Sequence, residues 1–233
     1  MKTLGLIGGT TWHSTIEYYR AINEGVHARL GGSNSANLIL YSVNFEDLKP
    51  PTDPAGWARV VAELTGIARR LETAGAACIV LCANTPHMVA DDVERAIGVP
   101  LLHIADALGP AIVASGLHTV GLLGTRPTME QGFIRDRLAA RGITTVVPDE
   151  ASRAFLHSSI LEELGQGVFT ASTRARYLAI IDELAERGAR GIILGCTEIP
   201  LLIKPGDCRL PVFDTTALHA AAAVEFALDG EQH

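Results

Sequence analysis

The chain has 233 residues, 48% hydrophobic and 19% charged, with a formal net charge of -7. An acidic balance without runs of Lys or Arg excludes a nucleic-acid partner, and no apolar stretch is long and uninterrupted enough for a membrane span. Four cysteines are too few for a disulfide scaffold, and Met1-Lys2-Thr3 leads straight into a strand-like run without a secretory signal, so a cytoplasmic protein is expected.

In chain order, short apolar runs that read as strands buried on both faces fall at 3–8, 38–43, 77–82 and 100–103. Four more follow at 119–124, 143–147, 191–195 and 211–213. Helical patterns separate them at 14–30, 57–74, 89–97, 129–141 and 172–187, and an Ala-rich helix at 215–228 closes the chain. Asp53-Pro54 reads as a cap and first position for the second helix, and Gly75 as its stop.

The two sets of strands repeat. Thr3-Leu4-Gly5-Leu6-Ile7-Gly8 returns as Thr119-Val120-Gly121-Leu122-Leu123-Gly124. Gly75-Ala76 with Ile79-Val80-Leu81 returns as Gly188-Ala189 with Ile192-Ile193-Leu194, and Pro100-Leu101-Leu102-His103 as Pro211-Val212-Phe213-Asp214. Strands alternating with helices imply parallel sheets with right-handed crossovers. The expected fold is α/β: two pseudo-symmetric domains, each a mainly parallel sheet of about four strands flanked by helices, with the active site between them. The expected domains are 1–105, completed by the C-terminal helix 214–233, and 106–213.

Functional loops in such sheets lie beyond the carboxyl ends of the strands. That rule selects Gly8-Gly9-Thr10-Thr11 and its repeat Gly124-Thr125-Arg126-Pro127-Thr128. It also selects Cys82-Ala83-Asn84-Thr85 and Gly195-Cys196-Thr197-Glu198. Each half thereby brings one thiol, with hydroxyl or amide donors, to the same end of its sheet. Inverting a stereocentre by proton transfer needs a base on one face of Cα and an acid on the other, and a thiol with a pKa of about 8.5 suits both roles. Cys82 and Cys196 are the candidate catalytic pair. Gly9, Thr10, Asn84, Thr85, Thr125, Arg126, Thr197 and Glu198 are candidate substrate-binding residues, and turn N–H groups would hold the α-carboxylate.

Cys78 starts a strand and Cys208 sits in a loop, so both read as structural. His87 reads as a helix-start or structural residue, and His103 and His157 lack metal-ligand spacing, so no metal is expected. Glu198 either caps the following helix or orients Cys196. Gly5-x-x-Gly8-Gly9 is not a dinucleotide fingerprint. None of the three lysines, Lys2, Lys49 and Lys204, reads as a Schiff-base residue, so no pyridoxal cofactor is expected.

Gly8-Gly9, Cys82-x-Asn84-Thr85-x-His87, Gly124-Thr125-Arg126-x-Thr128-Met129-Glu130-Gln131 and Gly195-Cys196-Thr197-Glu198 together resemble the aspartate/glutamate racemase superfamily, in the aspartate racemase-like branch that includes broad-specificity amino-acid racemases. The resemblance runs nearly end to end. It implies pyridoxal-independent racemisation of a small amino-acid substrate, an interdomain active site with its thiols at Cys82 and Cys196, and a homodimer. It has departures. Ala83 stands between Cys82 and Asn84 where many members read Cys-Asn-Thr, and by strict repeat register Cys82 aligns with Gly195; a related branch reads Cys-Thr-Asn-Thr, which tolerates the offset, but Ala83 lacks that Thr hydroxyl. Leu48 and Gly165 stand where strict aspartate enzymes carry an Arg and a Lys for the side-chain carboxylate. Two other readings stay open: a one-thiol decarboxylase or cis-trans isomerase of the same fold, and a non-enzymatic amino-acid-binding protein.

Overall fold

The computed structural model describes residues 1–49, 51 and 53–230. Its elements are β1 (Leu4–Gly8), α1 (Trp12–Leu30), β2 (Leu38–Ser42), α2 (Pro54–Thr73), β3 (Cys78–Leu81), α3 (Ala90–Glu94), β4 (Leu101–Leu102) and α4 (Ile104–Ala114). They continue as β5 (Thr119–Gly124), α5 (Arg126–Glu130), α6 (Gly132–Ala139), β6 (Thr144–Val146), α7 (Glu150–Glu162), α8 (Ala171–Glu186), β7 (Ile192–Gly195), α9 (Ile199–Leu202), β8 (Val212–Asp214) and α10 (Thr215–Leu228). No helix among the described residues is long and apolar enough to cross a membrane.

The chain divides into two compact units, Met1–His103 with the residues from His219 onward, and Ile104–Leu218. Each holds one four-stranded, all-parallel sheet, in the orders β2-β1-β3-β4 and β6-β5-β7-β8. The α/β class with two similar sheets flanked by helices is therefore what the alternation of elements indicates.

The strands alternate their side chains between two apolar layers, as the period of two requires. In the first unit Leu4, Leu6, Cys78, Val80 and Cys82 pack with Tyr18, Ile22 and Val26 of α1 and Ala220, Ala223, Val224 and Ala227 of α10. Ile7, Ile79 and Leu81 face the other way, against Val60, Leu64, Ile67 and Leu71 of α2. The second unit repeats this: Val120, Leu122 and Ile193 pack against α4 and α6, while Leu123, Ile192 and Leu194 pack against α7 and α8. Truncating one of the central leucines or isoleucines to alanine would cost about 2–5 kcal/mol.

Local signals account for most helix starts. Thr11, Asp53 and Thr170 accept the N–H groups of Ser14, Gly56 and Thr173 at the heads of α1, α2 and α8. The helices α4 and α7 were not among the expected elements. Gly109-Pro110 in α4 reads as a break, and burial of Ala105, Leu108 and Ile112 overrides it. In α7 the apolar stripe is reduced to a few residues, and the Asp149 side chain, accepting from the Ser152 N–H, sets its start. The helix expected over 129–141 is split, because Gln131 is extended (φ -86°, ψ 159°) between α5 and α6. The one expected over 89–97 is a single turn of 3-10 helix, Thr85–Val89, followed by α3.

Candidate functional site

In each sheet the crossovers leave in opposite directions from two adjacent strands, β1 and β3 in one unit, β5 and β7 in the other. A switch point of this kind opens a crevice beyond the carboxyl ends of the strands. The four turns selected from the sequence are the four turns at these two switch points.

The turn after β1 is closed by Gly9 and Thr15. Gly9 has φ 88°, and a Cβ there would lie 2.1 Å from the Val43 carbonyl oxygen, so no other residue fits. Its N–H donates to Thr15 Oγ1 at 2.7 Å, and Thr15 Oγ1 donates to the Thr11 carbonyl at 3.2 Å. Thr10 Oγ1 is buried with no hydrogen-bond partner among the described residues. In the second unit Thr125 precedes α5 and its hydroxyl pairs with that of Thr128 at 3.1 Å. Thr15 and Thr128 occupy matching places under Gly8 and Gly124, where an added Cβ would meet them at 2.5 and 2.8 Å. A threonine a few residues after each repeated glycine turn was the sequence signal available for both.

Arg126 is committed elsewhere. Its guanidinium donates to Glu150 Oε1 at 2.6 Å and lies 3.9 Å from Glu130, and its side chain is 40% exposed. A cavity of about 470 Å³ in the second unit is lined by residues such as Val147, Asp149, Arg153 and Arg187, and includes none of the candidate site residues.

After β7, Cys196, Thr197 and Glu198 are all buried. The Cys196 thiol donates to Glu198 Oε2 at 2.8 Å, and Thr197 Oγ1 donates to the same oxygen at 2.7 Å. Burial, reinforced by the Glu198 charge and hydrogen bond, holds the Cys196 thiol well above the ordinary range. Glu198 thus accepts from the Cys196 thiol, and its side chain makes no capping bond to α9.

After β3 the arrangement differs. Cys82 is 1% exposed and belongs to the apolar layer between β1, β3, α1 and α10. Its sulfur lies 3.9 Å from the Val80 carbonyl, and burial alone pushes its thiol upward. Cys78, in the same layer, is pushed up to about 12, chiefly by burial. Asn84 is buried, and Thr85 opens the 3-10 turn.

His87 ties that turn together, its Nδ1 lying 2.9 Å from the Ala83 carbonyl and 3.3 Å from that of Asn84. Two carbonyl acceptors require Nδ1 to carry the hydrogen, which leaves Nε2 as a bare acceptor, and no partner among the described residues meets it. The ring packs edge-on to His103 and His219, with centroids 4.7 and 5.3 Å away. His219 donates from Nε2 to the Leu102 carbonyl at 2.8 Å, so its Nδ1 accepts from Tyr18 Oη at 2.9 Å. Burial lowers both imidazoles, His219 to about 4 and His87 well below the usual histidine value. The sequence reading of His87 as a helix-start or structural residue did not include its partnership with His103, His219 and Tyr18, because that joins residues up to 201 positions apart.

Comparison with known proteins gives one consistent answer. The family model described as Asp/Glu/Hydantoin racemase matches residues 7–223. An Asp/Glu racemase candidate from Yersinia pestis shares 50% identity at a TM-score of 0.92, over 98% of this chain and 100% of that one. An aspartate racemase homologue from Pyrococcus horikoshii OT3 shares 38% at a TM-score of 0.87, over 98% and 100%. A broad-specificity amino-acid racemase of Bacillus subtilis is 26% identical over 155 residues, which span 66% of each chain. A glutamate racemase of Methylococcus capsulatus is 30% identical over 165 residues, 70% of this chain and 59% of that relative.

Proposed function

The chain belongs to the Asp/Glu/hydantoin racemase family, and we propose that it is a cofactor-independent amino-acid racemase working on the α-proton of a free amino acid through Cys196. The observation that carries this reading is the buried Cys196–Glu198 pair at the carboxyl end of β7. Proton transfer along that hydrogen bond yields a thiolate beside a neutral carboxylic acid, and the thiolate is the base that accepts the Cα proton. Turn N–H groups, with the Thr10 hydroxyl and Thr197, are the donors proposed for the α-carboxylate, on which carbanion charge develops. In the two-thiol form of the reading Cys82 is the second proton-transfer group, and like Cys196 it is buried in an apolar layer at the end of its strand.

Substrate range follows from charge. Leu48 is buried, Gly165 has no side chain, and Arg126 is engaged with Glu150 and Glu130. A side-chain carboxylate desolvated without a partner costs several kcal/mol, and a neutral polar side chain much less. At least one neutral polar amino acid is therefore expected to react as well as aspartate or glutamate. The experiment is a panel of single L-amino acids in deuterated water without pyridoxal phosphate or added metal, read by α-proton loss and by enantiomer ratio. A panel with no exchange would overturn the racemase reading; turnover confined to aspartate and glutamate would overturn the substrate range.

A further inference from the structure

The strand ends beside Cys196 are two glycines in register, Gly124 of β5 and Gly195 of β7. Neither has a positive φ, so a left-handed backbone is not what calls for glycine at these places. The need is for room. A Cβ on Gly124 would lie 2.8 Å from Thr128 Cγ2 and 2.9 Å from the Gly195 carbonyl oxygen. A Cβ on Gly195 would lie 3.0 Å from the same Thr128 Cγ2 and 2.7 Å from the Leu123 carbonyl oxygen. One methyl group of a wholly buried threonine therefore fills the space that two neighbouring side chains would take.

The other half of Thr128 faces Thr125. The two hydroxyls pair at 3.1 Å, which holds Thr128 in the rotamer that lays its methyl against the glycines. The first unit uses its matching threonine differently: Thr15 works through its hydroxyl, which accepts from the Gly9 N–H and donates to the Thr11 carbonyl. Cys196 is the next residue after Gly195, and its thiol reaches Glu198 Oε2, only two residues further on, at 2.8 Å. A displacement of the Gly195 backbone by a few tenths of an ångström passes straight into that contact. Close packing of the methyl resists it, because a filled interior leaves the glycine nowhere to move.

Resting on the racemase reading above, we infer that Thr128 is a positioning residue for Cys196: its methyl, seated against Gly124 and Gly195, fixes the end of β7 and so the approach of the thiol to Glu198. The role belongs to the methyl and not to the hydroxyl. Removing the methyl while keeping the hydroxyl loosens the approach, and exchanging the hydroxyl for a second methyl leaves it in place. Thr128 stands in the Gly124-Thr125-Arg126-x-Thr128 stretch, whose spacing does not disclose this role, because Gly195 joins it only through the pairing of β5 with β7.

Three variants separate the two halves of the side chain. Thr128→Ser keeps the hydroxyl without the methyl, Thr128→Val keeps the methyl without the hydroxyl, and Thr128→Ala has neither. The first readout needs no activity: the pH dependence of Cys196 alkylation by iodoacetamide in the folded protein, followed by peptide mass spectrometry. In Thr128→Ser and Thr128→Ala the sulfur draws away from Glu198, whose charge and hydrogen bond help hold its pKa up. Their profiles should therefore move down by about half a pH unit or more, whereas Thr128→Val should stay within about 0.2 unit of wild type. The second readout is α-proton exchange in deuterated water on the amino-acid panel. There kcat should fall by about tenfold in Thr128→Ser and Thr128→Ala, and Thr128→Val should exceed both by at least about threefold. Melting temperatures identify the folded variants, and should one of the two proteins lacking the methyl fail to fold, the other carries the comparison. A Thr128→Ser or Thr128→Ala profile that matches wild type overturns the inference. So does a Thr128→Val profile displaced as far as theirs, which would mark a need for the hydroxyl or for packing in general. Absence of exchange in wild type would sink the racemase reading alone, and the alkylation profiles would still decide the positioning of Cys196.

Discussion

The turns after β3 and β7 hold the same position in two copies of one sheet, and different side chains close them. In the second unit a carboxylate, Glu198, collects the Cys196 thiol and the Thr197 hydroxyl. In the first an imidazole, His87, gathers the Ala83 and Asn84 carbonyls and rests on His103 and His219. The matching places are Thr85 for Glu198 and Pro200 for His87, so neither turn carries the other's device. The comparison teaches that a fold repeat can be near-symmetric in its backbone while the side chains that close its matching turns differ in charge and hydrogen bonding. One turn is closed by a carboxylate that accepts a thiol and a hydroxyl, the other by an imidazole that lies against two carbonyls of its own turn.

The largest effect that would sharpen this contrast is at Glu198. Glu198→Gln removes the acceptor of the thiol proton and the charge that raises the Cys196 pKa, so α-proton exchange should fall by about 10²-fold or more. The thiol should at the same time become more acidic, read as a downward shift in the pH dependence of Cys196 alkylation. Thr85→Ala, the matching change in the first unit, should leave the Cys196 alkylation profile unmoved; a shift there as large as that of Glu198→Gln would break the comparison.

A smaller effect separates the units by acid. The unfolded chain takes up a proton on a histidine near 6.5, whereas folded His219 does so only at about 4. Its folded pKa is depressed, so the stability it contributes is complete above about 6.5 and is lost as pH falls toward 4, about 3 kcal/mol in all. His87, lowered in the same direction, adds to the loss. Amide exchange between pH 7 and pH 4.5 should show the β1–β4 sheet losing protection before the β5–β8 sheet. Equal loss in the two sheets, or a His219 ring that titrates near 6.5 by NMR, would count against it.

Smallest is the effect of Tyr18→Phe. Removing the hydroxyl leaves the buried Nδ1 of His219 without its donor, a loss of about 1–3 kcal/mol. Urea unfolding measures it. Tyr177, the buried tyrosine of the second unit, shares its hydroxyl with Ser159 at 3.0 Å, and Ser159 retains the Leu156 carbonyl as a partner. Tyr177→Phe should therefore cost less, and the reverse order would show that the imidazole network is not a support of the first turn.

The sequence alone determined much of this protein, because its signals are local. Apolar runs of four to six residues separated by helical periods specify parallel α/β units, and the repeat of Thr3–Gly8 at Thr119–Gly124 announces two of them. The glycine turns and the Gly195-Cys196-Thr197-Glu198 motif were legible for the same reason, since each depends on neighbours within a few residues. Helices α4 and α7 were not, because burial against distant strands outweighs Gly109-Pro110 in one and a thin apolar stripe in the other. The histidine cluster was hidden because chain separation, not spacing, makes it. The strand registers decided the rest. Cys82 and Cys196 each follow an apolar strand and look alike as text. A side chain's direction depends on the parity of its position in the ladder, and parity appears only when strand is paired with strand.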